Sequence, residues 1–260
     1  MSYRLLGADE PSPVIEYRRD GRSPFVIAVD HAGRRIPKRL GDLGLPTLEL
    51  ARHTAWDIGA LEVAKGVSAA LDAPLLAQEY SRLVIDCNRT PGSETSIPTM
   101  AESLEVPGNL CLSEEETAAR RMEIFEPYHA RLRAVLHERR AAQRPTFLVT
   151  QHTMTDILKG ARRAMHAAVL YDHDRRFAGV ILEMLRRNKE LMIAENEPYL
   201  VQLTHYTIPH HAEPYGLPYV ELEIRQDLVS DETGQAEWAH HITAALQSAE
   251  PVYYARFRVS

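Results

Sequence analysis

The sequence predicts a layered α/β fold built on a mostly parallel sheet. Short apolar runs of strand type recur along the chain, as in residues 25–30 and 146–150. Segments with helical spacing separate them, as in residues 57–71 and 175–188. Strands alternating with helices in this way imply helices layered on a parallel sheet. No repeat, low-complexity stretch or Pro/Gly-rich linker interrupts the 260 residues, so residues 1–260 read as one domain with a sizeable core.

The elements follow in order. Residues 25–30 form a strand that Gly33 and Pro37 close off. Residues 57–71 place Ile58, Leu61, Val63, Ala64 and Val67 at helical intervals. Residues 75–76 and 83–85 read as short strands. Residues 90–113 are rich in Pro, Gly, Ser and Thr without any period, which suits a long functional loop or lid. Ser113 with Glu116 is a capping-box pattern, opening a long helix to about residue 140 that Pro127 disturbs. Residues 146–150 and 167–170 are strands and residues 175–188 a helix. Residues 219–225 alternate as a strand, and residues 236–247 form a last helix.

Composition narrows the function classes. Apolar content of 45% and charged content of 25% are ordinary for a globular protein. A formal net charge of -6 argues against a nucleic-acid partner, which calls for a basic face. Cys87 and Cys111 make no disulfide framework and fit a reducing compartment. Residues 1–20 are polar without an apolar signal core, and no run reaches membrane-span length. A cytoplasmic protein acting on a small molecule is the expectation, with neither nucleic acid nor membrane as partner and the oligomeric state open.

His31 and His152 are each read as standing just past the end of a strand, where open α/β sheets bind their ligands. Imidazole is the commonest metal ligand. A third ligand comes from His53-Thr54-Ala55-Trp56-Asp57, where His53 and Asp57 stand four apart. Asp57 is favoured, because a His/His/carboxylate set suits a hydrolytic zinc with an open position for water. Asp57 could equally charge the first turn of its helix, and His53 stays open as the alternative ligand.

Two further clusters complete a candidate site. Ser81-Arg82-Leu83-Val84-Ile85-Asp86-Cys87-Asn88-Arg89 sets an acid, an amide and guanidinium groups at a strand end. Arg89 can clamp a substrate carboxylate in bidentate fashion, with Asn88 adding a directional donor and Arg82 assisting. Asp86 is better suited to orienting a neighbour, and an Asp–Arg pair that merely staples the loop is the plainer alternative. On the strand at 219–225, alternation puts Glu221, Glu223 and Arg225 on one face. Buried there, such charges need partners or a function; on an edge strand they would simply be wet. Glu223 is the candidate general base and acid, with Glu221 in support.

Taken together and in this order, these clusters resemble the N-formylglutamate amidohydrolase family. The resemblance rests on Asp30-His31-Ala32-Gly33, the His53–Asp57 segment, Arg82-Leu83-Val84-Ile85-Asp86-Cys87-Asn88-Arg89, Pro127-Tyr128-His129, Gln151-His152-Thr153, Asn196-Glu197-Pro198-Tyr199 and Glu221-Leu222-Glu223-Ile224-Arg225-Gln226-Asp227-Leu228. It spans about residues 25–245. It implies kinship with zinc carboxypeptidase-like and aspartoacylase-like hydrolases. The implied fold is three-layer α/β/α with a central mixed sheet, of phosphorylase/hydrolase type. The implied chemistry is a mononuclear zinc, one per chain, hydrolysing an N-acyl amino acid, typically N-formyl-L-glutamate to formate and glutamate. Such relatives usually carry a His-x-x-Glu ligand pair, but here Arg34 stands three residues after His31. A deacylase for another N-acyl amino acid, or a non-catalytic binding protein on the same scaffold, are the rival expectations.

Overall fold

A computed structural model describes residues 3–158 and 160–257. Its centre is a seven-stranded sheet with strands β1 (Val14–Tyr17), β2 (Phe25–Val29), β3 (Leu75–Gln78), β4 (Phe147–Met154), β5 (Ala167–Leu170), β6 (Ile193–Glu195) and β7 (Tyr219–Arg225). The spatial order is β1-β3-β2-β4-β7-β5-β6. β3, β2, β4 and β7 run parallel to one another, and β5 with β6 form a second parallel pair. β1 joins β3, and β5 joins β7, in antiparallel fashion. The sheet is therefore mixed and mostly parallel.

Both faces are covered. On one, helices α1 (Ala60–Leu71), α4 (Arg176–Leu185) and α7 (Glu232–Phe257) pack over Phe25, Ile27, Phe147, Val149, Val220 and Leu222. On the other, α3 (Glu126–Ala141), with short α5 (Val201–Thr204) and α6 (Thr207–His211), covers Val26, Ala28, Leu148, Leu170 and Tyr219. α2 (Glu114–Arg120) and the turn of π-helix at Arg121–Phe125 close a third apolar cluster around Tyr80, Val84 and Ile85. Central strands buried on both faces must read as continuous apolar runs, which is why β2 was legible.

Several expectations need correction. Residues 83–85 are a turn, not a strand. The Ser81 hydroxyl accepts from the Leu83 N–H, Val84 N–H closes onto the Ser81 carbonyl, and the Leu83 and Val84 carbonyls accept from Asn109 and Arg120. Those partners replace a ladder. β4 runs to Met154 rather than 150, so His152 lies within the strand; its pairing with β7 carries the ladder to Arg225. His31 does stand past the end of β2. α1 starts at Ala60, after a left-handed Gly59 whose added Cβ would lie 2.2 Å from the Val229 carbonyl oxygen. The last helix extends well beyond the expected 236–247. The expected capping box at Ser113 and Glu116 is present, and the disturbance near Pro127 is the π-turn just before α3. Strands β1 and β6 were not foreseen. Residues 90–113 hold a small hairpin, Met100–Ala101 with Leu104–Glu105, and are anchored by buried Asn109. Among the described residues no helix is long and apolar enough to cross a membrane.

Candidate active site

His31 is delivered by the turn after β2. Gly33, two residues on, lies so close to the Glu79 backbone that a Cβ would be 1.8 Å from its carbonyl oxygen, so this turn tolerates only glycine. Asp57 sits in the turn before α1, fastened by its own N–H to the His31 carbonyl at 2.9 Å. His152 projects from β4. All three are buried.

Their donor atoms converge. Asp57 Oδ2 is 3.3 Å from His31 Nδ1 and 2.9 Å from His152 Nδ1, and it also accepts from the Thr153 N–H. One ligand atom from each residue lies within 4.8 Å of the others. The far side of each ring meets a second carboxylate: His31 Nε2 is 2.7 Å from Asp86 Oδ1, and His152 Nε2 is 3.4 Å from Asp30 Oδ2. A carboxylate only accepts, so His31 must donate from Nε2, turning the Nδ1 lone pair toward Asp57. A lone pair facing a carboxylate oxygen needs a proton or a cation between them. Burial opposes charge on these imidazoles, yet the surrounding carboxylates raise the pKa of both. Two nitrogens and one oxygen, backed by carboxylates on their outer nitrogens, match the donor set of a catalytic zinc. His53 is elsewhere, pairing with Glu102 at 3.0 Å, so of the two candidate third ligands only Asp57 joins the cluster.

The remaining expected residues line the same pocket, a cavity of about 90 Å³ bounded by His31, Asp57, Arg82, Asn88, Arg89, His152 and Glu223 among others. None of its lining residues comes from 90–113. Arg82 is already engaged: Nε and Nη2 donate to Asp86 Oδ2 at 3.0 and 2.7 Å, and Nη1 lies 3.4 Å from Asp57 Oδ1. Asn88 Oδ1 accepts the N–H groups of Tyr206 and Thr207, which pins the start of α6. Among the described residues the Arg89 guanidinium makes one bond, from Nη1 to the Asn88 carbonyl.

β7 is central rather than an edge, so Glu221 and Glu223 are buried, and the edge-strand reading of that face fails. Glu221 Oε1 is 2.7 Å from His205 Nδ1. Burial pushes against ionisation there, but His205 and His152 hold the Glu221 carboxyl below its ordinary value. Glu223 is the register partner of His152 on the neighbouring strand. Its Oε2 is buried with no hydrogen-bond partner among the described residues. Burial, opposed by His152 and reinforced by Asp57 and Glu221, pushes the Glu223 carboxyl up to about 8. Asp30 and His205 join the site beyond the residues that the sequence singles out. An acid closing the apolar run of β2 was the available signal for Asp30, whereas nothing local marks His205.

The sequence profile of the N-formylglutamate amidohydrolase family matches residues 23–230. The chain belongs to the N-formylglutamate amidohydrolase family. As a member it is a hydrolase acting on amides. A gene product of Agrobacterium tumefaciens of known structure is 36% identical, with a TM-score of 0.90 over 95% of this chain and 100% of that one. N-formylglutamate amidohydrolase from Ralstonia eutropha is 19% identical, with a TM-score of 0.73 over 94% of this chain and 100% of that one. That second likeness shows the shared three-layer fold. No curated protein matches this amidohydrolase in sequence.

Proposed function

We propose that this amidohydrolase is a single-domain zinc enzyme that cleaves the formyl amide of N-formyl-L-glutamate, giving formate and glutamate. The observation that supports it is one pocket joining a His–Asp–His donor set, an unpartnered buried glutamate and an arginine with free donors. His31, Asp57 and His152 would hold one zinc per chain. Bound there, zinc supplies Lewis acidity to the scissile carbonyl and lowers the pKa of water.

The protein's own groups do the rest. Glu223 accepts the proton of the attacking water as the new C–O bond forms. It then delivers the proton to the amide nitrogen as the C–N bond breaks. Arg89 receives a substrate carboxylate on its unused nitrogens, and the Asn88 amide adds a donor beside it. Arg82 has a different part from the one expected: bonded to Asp86 and near Asp57, it positions the donor set by holding their carboxylates in place.

Metal analysis of the purified protein, with initial rates over N-formyl, N-acetyl and N-succinyl amino acids, tests this reading. About one zinc per chain and fastest turnover of N-formylglutamate are expected. Full activity without metal, or an N-acetyl or N-succinyl substrate turned over faster, would refute it.

A further inference from the structure

Arg162 and Arg163, beyond the end of β4, lie close to Arg225 at the last position of β7, and the three differ in one respect. Arg162 and Arg225 both bond Asp227. Arg163 has no carboxylate partner among the described residues, although only 7% of it is exposed. Its backbone is fixed, with the N–H on the Asp156 carbonyl at 2.8 Å and the carbonyl accepting from Arg225 at 3.0 Å. Its guanidinium makes one bond, from Nη2 to the Tyr199 hydroxyl at 3.0 Å, with the tyrosine ring centre 5.4 Å away. Nε and Nη1 are buried and unpartnered. A guanidinium stays charged, and a buried uncompensated charge is strongly unfavourable unless an anion is brought to it.

Tyr199 connects this charge to the site. It lines the candidate pocket together with Arg89, His152 and Glu223. Because its oxygen accepts from Arg163, its hydroxyl proton is left to donate to something else. A hydroxyl that accepts from a cation is a stronger donor in turn. Of the two arginines that line the pocket, Arg89 has free nitrogens, whereas Arg82 is bonded to Asp86. One guanidinium cannot neutralise two separated carboxylates.

We infer that Tyr199, backed by Arg163, forms a second anion subsite, which takes the side-chain carboxylate of a dicarboxylic N-acyl amino acid while Arg89 takes the other. The inference rests on the proposed function for its substrate, but its test does not require catalysis. Titration calorimetry compares glutarate with butyrate, a di- and a monocarboxylate without a scissile amide. Wild-type protein is expected to prefer glutarate by about tenfold or more, the range of one charge-assisted hydrogen bond. Arg163→Met should bring that ratio to within about twofold of unity, and Tyr199→Phe should lower it severalfold. Arg163→Lys, which restores charge without the planar fork, should recover part of it. No glutarate preference in the wild type, or a preference surviving both Arg163→Met and Tyr199→Phe, overturns the subsite. If Arg163→Met does not fold by circular dichroism, Tyr199→Phe at its partly exposed position decides alone. A glutarate preference in a protein inert toward N-formylglutamate would support the subsite and refute the proposed reaction.

Discussion

Asp86→Asn separates the positioning of a ligand from the ligand itself. Asp86 Oδ1 accepts from His31 Nε2 at 2.7 Å and from the Asn88 N–H at 2.8 Å, while Oδ2 receives Arg82 at 2.7 and 3.0 Å. Asparagine keeps the volume and can leave its oxygen toward His31. Its amide must then face Arg82, setting donor against donor and removing the charge that steadies the imidazole. Outer-shell carboxylates of this kind change metal affinity by about 10–100-fold when removed, so zinc affinity should fall by that factor. Breaking a buried charged pair also costs about 3–5 kcal/mol, which should appear as a lower urea midpoint of the metal-free protein. Competition against a chromophoric chelator measures the first effect and urea unfolding the second. The matching change at the other imidazole, Asp30→Asn, should be milder for zinc, because its contact to His152 is 3.4 Å rather than 2.7 Å. Wild-type zinc affinity in a folded Asp86→Asn protein would refute the argument that Asp86 sets the His31 tautomer.

Other outcomes are equally specific. Glu223→Gln should retain zinc and substrate binding but lose about 100-fold or more in turnover, with Glu221→Gln milder; an unimpaired Glu223→Gln would move the base elsewhere. Arg89→Lys should raise KM for N-formylglutamate with zinc retained, since lysine cannot reproduce the bidentate fork, and an unchanged KM would make Arg89 structural. His53→Ala should leave zinc content unchanged, as His53 pairs with Glu102 outside the cluster; metal loss would exchange it for Asp57. His129 donates to the Cys87 carbonyl and contacts His211 at 2.9 Å, and burial lowers their pKa values to about 4 and about 3. Below pH 6.5 the unfolded chain therefore gains protons that the folded one refuses, so stability should fall from pH 6.5 toward pH 4, by about 2 kcal/mol per imidazole at pH 5. Urea midpoints at both ends check this, and a His129→Gln/His211→Gln protein should lose the extra slope.

What was legible in the sequence depended on short-range pattern. Strand β7 matched its predicted limits because alternation of Val220, Leu222 and Ile224 with charged residues is a local signal, and Ser113 with Glu116 announced α2 in the same way. Residues 83–85 carry a burial signal, which in a short apolar run is indistinguishable from a strand signal. Those side chains are indeed buried, but their backbone bonds go to Ser81, Asn109 and Arg120, the last two far along the chain. β4 was cut short because Gln151, His152 and Thr153 look like the polar exit of a strand, yet the ladder with β7 keeps them inside it. At the site, the candidates His31, Asp57 and His152 could be named from residue type, and their convergence then appeared in the fold. The choice between His53 and Asp57 could not be made from spacing, as it turns on where the Ala55–Asp57 turn meets the β2 loop. The partnership of His205 with Glu221 joins a loop to a central strand and leaves no local trace.

The register of β4 against β7 has a wider consequence. His152 and Glu223 face each other across a backbone ladder, so their separation is set by peptide hydrogen bonds and not by any side chain. A slip of one residue by either strand would turn its member of the pair onto the opposite face of the sheet. The groups assigned to substrate selection, Arg89 and Tyr199, instead stand on irregular segments outside the strands. Of the groups proposed for bond cleavage, His152 and Glu223 thus stand on the ladder, while His31 and Asp57 stand on turns beside it. An engineer seeking a new N-acyl substrate should therefore leave these two strands alone and vary the segments that carry Arg89 and Tyr199.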